Sequence, residues 1–125
     1  MPIQYEVDRD KRLLITRATG DLSPDDLFSY LDRLIADPEA EECDELYVFQ
    51  NVDLSQVSAA DVRTLARRAT ELSRPEGYRV AFVAPRDADF GMVRMYQAFR
   101  ELGEERMAVF RTLDEACDWL GVKVV

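Results

Sequence analysis

The stretch Val80-Ala81-Phe82-Val83-Ala84, which Pro85 ends, decides the fold class of this 125-residue chain. Five consecutive apolar residues predict a strand that is covered on both faces, as strands are in a parallel sheet. Leu46-Tyr47-Val48-Phe49 is a second run of the same kind, nearer the N-terminus. Since parallel strands are joined by crossover helices that cover them, these two runs predict an α/β fold.

Strands and amphipathic helices alternate on both sides of these runs. Alternating apolar residues over Ile3–Val7 and the run Arg12–Ala18 predict an opening hairpin, whose second strand ends at Gly20. A further strand is predicted over Met107–Phe110. Apolar residues at helical spacing predict four helices, and Gly103 is the predicted terminator of the third. These helices begin near Ser23, Ser58, Asp89 and Thr112.

The element order is therefore ββαβαβαβα, within one predicted domain of residues 1–125. Right-handed crossovers between successive strands give a single-layer mixed sheet of about five strands with four helices. The first strand is antiparallel, because a short turn joins it to the second.

Composition excludes several classes of function. The chain has a formal net charge of −9, which disfavours nucleic acid and anionic membrane surfaces as partners. It has no histidine, which excludes Ser-His-Asp and Cys-His catalysis, and its two cysteines are too few for a thiolate metal cluster. The acidic connector Asp37–Glu45 lacks the glycine turn of a calcium loop. We therefore predict no metal and no cofactor.

The N-terminus carries no signal-peptide pattern, and no apolar run reaches the ~20 residues of a membrane-spanning helix. These observations predict a cytoplasmic protein without membrane insertion. Cys117 lies on an apolar helical stripe and is expected to be a small core residue, and no disulfide with Cys43 is expected.

One local motif carries a resemblance to a known family. The segment Val52-Asp53-Leu54-Ser55-Gln56-Val57-Ser58 is followed by Asp61 and a helix, and the chain closes with a strand, Phe110–Ala116 and a short helix. Together with the element order, this resembles the STAS domain family (sulfate transporter and anti-sigma factor antagonist), whose fold is called SpoIIAA-like. The topological match spans nearly the whole chain, and the closer likeness is to its uncharacterised bacterial branch, whose members lack an assigned activity.

The chain departs from the signalling members of that family at one position. In those members the aspartate is followed by serines, one of which is phosphorylated, and then by glycine. Here Asp61 is followed by Val62, Arg63 and Thr64. The resemblance therefore implies the fold without implying a phosphorylation switch.

The first candidate site follows the strand Val80–Ala84. Ligands of open α/β sheets bind beyond the carboxyl ends of strands, and the free N–H groups of a helix N-terminus attract anions. The predicted ligand-binding residues are Arg86, Asp87, Asp89, Gly91, Arg94 and Tyr96. The alternative is a solvated loop in which Asp87 or Asp89 caps the helix.

The second candidate site is a basic stripe on the helix that begins at Ser58. Residues three to five positions apart share a helix face, so the arginines form a local positive patch on an acidic chain. The predicted partner-docking residues are Ser58, Asp61, Arg63, Arg67 and Arg68, and Arg74 extends the stripe. The alternative is a solvated face paired with nearby carboxylates.

These sites lead to three hypotheses. The first is a non-catalytic protein-interaction or regulatory module. The alternative is a small-ligand protein that binds a lipid or an anion, since this fold is related to SEC14-type domains. A third is an enzyme that uses the carboxylates of Asp53 and Asp61 as acid and base. Self-association into a homodimer is a separate prediction, based on the apolar tail Val122–Val125 and on exposed sheet edges.

Overall fold

The computed structural model describes residues 2–123 and contains a five-stranded mixed sheet with the strand order β1-β2-β3-β4-β5. β1 pairs with β2 in antiparallel fashion, and the remaining neighbours are parallel. The strands are β1 Ile3–Asp8, β2 Leu13–Asp21, β3 Asp44–Asp53, β4 Val80–Val83 and β5 Met107–Phe110. This confirms the predicted fold class, including the opening hairpin.

Four helices follow, as predicted, together with a short 3₁₀ turn at Pro38–Ala40. Two of the helices begin with a full capping box, in which the serine side chain and the third helical residue satisfy each other's backbone N–H. Ser23 pairs in this way with Asp26, and Ser58 pairs with Asp61. The helices are α1 Pro24–Ile35, α2 Ala59–Ala69, α3 Asp87–Arg100 and α4 Leu113–Leu120.

The handedness of the crossovers decides which face each helix covers. Each of the three parallel crossovers moves the chain one strand in the same direction, so α1, α2 and α3 lie side by side on one face. α4 follows the edge strand β5 and packs on the other face. There Ala116 and Leu120 contact Ile15 and Val83 in a separate core cluster. We call the first of these the three-helix face.

Helix α2 occupies a special place on the three-helix face. It packs against α1 on one side and α3 on the other, and it approaches both helices more closely than any strand. Its buried residues are Val62, Ala66 and Ala69. The middle helix therefore packs mainly against α1 and α3 and less closely against the sheet.

The boundaries of β2 and α3 differ from the prediction. Strand β2 does not end at Gly20 but continues to Asp21, because a register shift between Thr19 and Gly20 lets the glycine, at φ +79°, stay paired with β3. Helix α3 begins at Asp87 and ends at Arg100. Glu101 adopts the left-handed cap at φ +57° and donates its N–H to the Ala98 carbonyl, so Gly103 is not the terminator.

Both cysteines are buried, and Cys117 belongs to the core cluster on the α4 face, which confirms it as a core residue. Within residues 2–123, no helix has the length and apolar character needed to cross a membrane. Self-association through the tail stays a prediction, and two of its four residues, Val124 and Val125, lie outside the described residues.

The Ser23 cap offers a stability test. Replacing Ser23 with Ala removes the acceptor of the Asp26 N–H, and we expect the free energy of unfolding to fall by about 1 kcal/mol. Urea denaturation measures this change. Ser29 is exposed within the same helix, and Ser29→Ala should leave stability unchanged or slightly higher, because alanine favours helix. Equal effects of the two substitutions would contradict the capping role.

Candidate functional site

An apolar cavity of about 120 Å³ lies between the sheet and α2 on the three-helix face. All three helices contribute to its walls, and the strands provide its floor. Val62 and Leu65 of α2 form part of the roof. The remaining lining residues are Ile3, Thr16, Ala18, Leu27, Tyr30, Leu31, Tyr47, Phe49, Leu54, Val57, Leu72, Phe82, Met92, Val93 and Tyr96.

The cavity explains an unusual pattern of exposure on the central strand. Tyr47 and Phe49 project from β3 toward three helices, yet both keep intermediate solvent exposure. Their accessible surface faces the cavity, because α2 does not close down onto them. Leu54, Leu65 and Met92 are also half-buried, so the cavity communicates with solvent beside α2.

Aromatic rings form most of the cavity floor. The Tyr47 and Phe82 rings are stacked, with centroids 4.6 Å apart and planes 13° apart. Tyr30 meets Tyr47 edge-on at 6.2 Å, and Tyr96 meets Phe82 edge-on at 6.0 Å. Such edge-to-face arrangements are favourable beyond simple burial, so the floor is a rigid surface.

A chain of hydrogen bonds runs behind this floor. The Thr16 and Tyr30 hydroxyls lie 2.7 Å apart, and the Tyr30 hydroxyl donates to Tyr47 at 3.3 Å. Tyr47 in turn donates its proton to a carboxylate oxygen of Glu45. We call this chain the hydroxyl relay. It is the main polar feature of an otherwise apolar lining.

The relay ends in a buried ion pair. Arg74 donates from Nε to the second carboxylate oxygen of Glu45 at 2.9 Å, and the two side chains are 3% and 4% exposed. A charge that far from water is tolerated only when it is paired. The Nη2 of Arg74 is buried without a hydrogen-bond partner in the described residues.

This position corrects one part of the predicted basic stripe. α2 ends at Ala69, and Arg74 lies in the following connection, where its side chain turns inward to Glu45. It is therefore not on the surface with Arg63, Arg67 and Arg68. The physical reason is that Glu45, on a central strand, needs a buried cation to neutralise it.

The cavity tyrosines remain protonated well into the alkaline range. Burial is the largest cause that raises the pKa of Tyr30, Tyr47 and Tyr96 above the ordinary value of about 10. The negative charge of Glu45 adds to the shift of the Tyr47 pKa. At neutral pH these groups act as hydroxyls that donate and accept hydrogen bonds.

The predicted anion site lies where α3 and α4 diverge to opposite faces of the sheet. A crevice is expected at such a point, between the carboxyl ends of β4 and β5. Arg111 lies at this point, with a side chain that is 45% exposed. Its Nη1 donates to the Pro85 carbonyl at 3.2 Å and to Asp87 at 2.7 Å, and its guanidinium lies 4.1 Å over the Phe90 ring.

The remaining predicted ligand-binding residues are dispersed. Arg86 donates to the Val52 carbonyl at 2.9 Å and lies 3.8 Å from the carboxylate of Asp89, whose pKa burial raises while Arg86 opposes the shift. Gly91 is exposed, and Arg94 pairs with Glu104 at 3.3 Å. Of the six, Tyr96 alone lines the cavity. The alternative in which an aspartate side chain caps α3 is wrong, because Arg86 occupies the cap position without a side-chain hydrogen bond.

The predicted docking residues bind mainly within the chain. Ser58 and Asp61 form the capping box of α2. The guanidinium of Arg63 lies 5.1 Å over the Phe99 ring of α3. Arg68 pairs with Asp32 of α1 and with Glu71. These contacts tie α2 to both neighbouring helices, whereas Arg67 is exposed to solvent.

The two aspartates of the enzyme hypothesis are each engaged locally. Asp53 accepts the Ser55 N–H at 2.8 Å, and Asp61 accepts the Ser58 N–H at 2.9 Å. Hydrogen bonding by the Ser55 side chain and then by its N–H lowers the pKa of Asp53. No hydrogen bond joins them among residues 2–123. Each aspartate therefore serves as a local hydrogen-bond acceptor, and the enzyme hypothesis stays a prediction.

No protein-family model matches the chain, and no curated protein matches it. A solved structure does match. It is the crystal structure of an uncharacterised protein of the DUF3478 family from Shewanella loihica PV-4, which has a SpoIIAA-like fold. The two are 20% identical, the match covers 94% of this chain and 93% of that chain, and the TM-score is 0.56.

The chain has a SpoIIAA-like fold. The fold resemblance drawn from the Val52–Asp61 motif and the element order is thereby confirmed. At 20% identity the likeness concerns the fold alone, and a SpoIIAA-like fold does not by itself specify an activity.

Sequence reasoning missed the cavity and the buried pair within this SpoIIAA-like fold. One signal was present, because Glu45 directly precedes the apolar run of β3 and pairs with β4. A carboxylate at such a position needs a buried partner. The sequence does not show which arginine supplies it.

The buried ion pair leads to a stability prediction. Replacing Arg74 with Met leaves Glu45 as an unpaired buried charge, and we expect a loss of about 3–5 kcal/mol in unfolding free energy by urea denaturation. The matched control is Arg9→Met, which breaks the exposed pair of Arg9 with Glu39 and should cost at most about 1 kcal/mol. Similar losses for both variants would show that Arg74 does not neutralise Glu45.

The tyrosine pKa shifts predict alkaline instability. Above pH 10 the tyrosines of the unfolded chain lose protons, whereas those of the folded chain keep them because their pKa values are raised. The unfolded state is then favoured, so stability should fall as pH rises from about 10. Replacing Tyr47 with Phe removes one contribution and should make the decline shallower. Urea midpoints measured from pH 7 upward test this, and an unchanged slope would contradict it.

Proposed function

We propose that this protein is a non-catalytic binding module that holds a small apolar ligand in the cavity under α2. The observation that carries the proposal is a cavity lined almost entirely by apolar and aromatic side chains, between the sheet and α2. Small-molecule sites usually have this form, a concave and mostly apolar surface with a few polar groups. We therefore assign the ligand to this cavity on the three-helix face.

The volume limits the class of ligand. An engineered apolar cavity of about 150 Å³ binds benzene, whereas typical drug-sized pockets are about 300–1,000 Å³. At about 120 Å³, the cavity in its observed form fits a molecule of about one small ring. A lipid, which the small-ligand hypothesis included, would need α2 to move away from the sheet.

The charge of the site favours an uncharged ligand. Glu45 and Arg74 lie behind the lining and neutralise each other, and no Asp, Glu, Lys or Arg among residues 2–123 lines the cavity. An anion in this apolar interior would lose its hydration without an available counter-charge. The anion-binding form of the hypothesis would instead use the region of Arg86 and Asp87, where Arg111 already pairs with Asp87.

The protein-interaction hypothesis stays a prediction, and the structure narrows its mutational test to one exposed arginine. Arg63 contacts α3 and Arg68 contacts α1. Replacing either residue would therefore disturb the position of α2 over the cavity as well as the surface charge. Arg67 is the exposed member of the predicted stripe. Arg67→Glu therefore tests partner docking, and unchanged pull-down partners would count against a docking face there.

A filling substitution tests the cavity as a ligand site. Val62 and Val83 are both 4% exposed, but only Val62 lines the cavity. The expected result is that Val62→Phe costs little stability, because the larger ring enters empty space, and that it abolishes toluene binding measured by calorimetry. Toluene should raise the melting temperature of the unmodified protein, because it binds the folded state alone.

The matched control is Val83→Phe on the α4 face. That substitution overpacks a filled core and should cost about 1–3 kcal/mol in unfolding free energy, while toluene binding persists at a temperature where the variant is folded. Absence of toluene binding to the unmodified protein, or equal binding to Val62→Phe, would contradict the proposed function.

A further inference from the structure

We infer that the cavity selects ligands that carry a hydrogen-bond donor, and that Thr16 is the residue that accepts it. This inference rests on the proposed function and names the ligand class, which is a small ring-sized molecule with one O–H or N–H group. The hydroxyl protons of the relay all point in one direction, and that direction determines the selection.

Glu45 sets that direction. Its carboxylate is held by Arg74 and can only accept hydrogen bonds. Tyr47 must therefore use its single proton on Glu45, and its oxygen accepts the proton of Tyr30. Tyr30 has then spent its own proton, so the 2.7 Å contact with Thr16 requires the Thr16 hydroxyl to donate.

Thr16 is consequently the open end of the relay. Its hydroxyl donates to Tyr30 and makes no other hydrogen bond within residues 2–123, so both lone pairs of its oxygen remain available there. The residue is 3% exposed and lines the cavity. A hydroxyl that donates into such a chain is also a better acceptor, because the bonds polarise one another.

A ligand with only acceptor groups meets an unfavourable surface at this end. The hydroxyl protons of Thr16, Tyr30 and Tyr47 are all donated along the relay in the direction of Glu45. An acceptor-only ligand would therefore meet only oxygen lone pairs at Thr16. The hydroxyl of Tyr96, which accepts from Arg100 at 3.2 Å, is not part of the relay. At the Thr16 end of the cavity, the selection between donors and acceptors therefore depends on Thr16 and on the orientation that Glu45 imposes.

Three probes of similar size test the inference by calorimetry. Phenol carries a donor, toluene carries neither donor nor acceptor, and benzaldehyde carries an acceptor only. In Thr16→Val, which keeps the shape of the side chain, the affinity for phenol relative to toluene should fall about tenfold, because the phenol proton loses its acceptor. Thr16→Ser restores the hydroxyl and should restore the ratio.

The matched control is Thr19→Val, the same substitution at an exposed position of the same strand, which should leave the ratio unchanged. Tyr47→Phe tests the direction of the relay. Without the Tyr47 hydroxyl, the Tyr30 proton is free to turn toward a ligand, so benzaldehyde should gain affinity relative to phenol.

The outcomes separate this inference from the proposed function. If neither toluene nor phenol binds the unmodified protein, the proposed function fails and the inference fails with it. If toluene binds but Thr16→Val leaves the phenol-to-toluene ratio intact, the cavity is a ligand site and the donor selection is overturned. No gain for benzaldehyde in Tyr47→Phe would overturn the assigned direction of the relay.

Discussion

The handedness of three consecutive crossovers is the constraint on which the rest of this structure depends. Each crossover advances one strand in the same direction, so three helices must share one face of the sheet. The outer helices, α1 and α3, pack against the strands, and the middle helix α2 packs against α1 and α3. The space under α2 is thus a consequence of topology, and the aromatic residues of β3 and β4 shape its floor.

The polar chemistry of the interior follows from one carboxylate. Glu45 projects into the three-helix face from a central strand, where an isolated charge is very costly. Arg74 neutralises it, and the remaining carboxylate oxygen orients Tyr47, Tyr30 and Thr16 in turn. A pair buried for electrostatic reasons therefore also determines which groups of the cavity wall can accept and which can donate.

Two of the surface arginines of α2 contact the flanking helices, so they are less available to bind a partner protein. Arg63 and Arg68 connect α2 to Phe99 and Asp32 on the two flanking helices, and such exposed contacts are individually weak. α2 is accordingly held by several modest surface interactions together with its buried residues Val62, Ala66 and Ala69. That arrangement is compatible with its place as the roof of the proposed ligand site.

The sequence by itself determined the architecture. The apolar runs around Phe82 and Val48, the capping boxes at Ser23 and Ser58 and the opening hairpin are local patterns, and local chemistry is enough to specify them. Only the tertiary structure decided the site. Arg74 looked like the end of a surface stripe, and it is buried because Glu45, 29 residues away in sequence, lies beneath it. Cavities and paired charges form between residues that are distant in sequence. Sequence periodicity predicts local structure and does not show which distant residues come into contact.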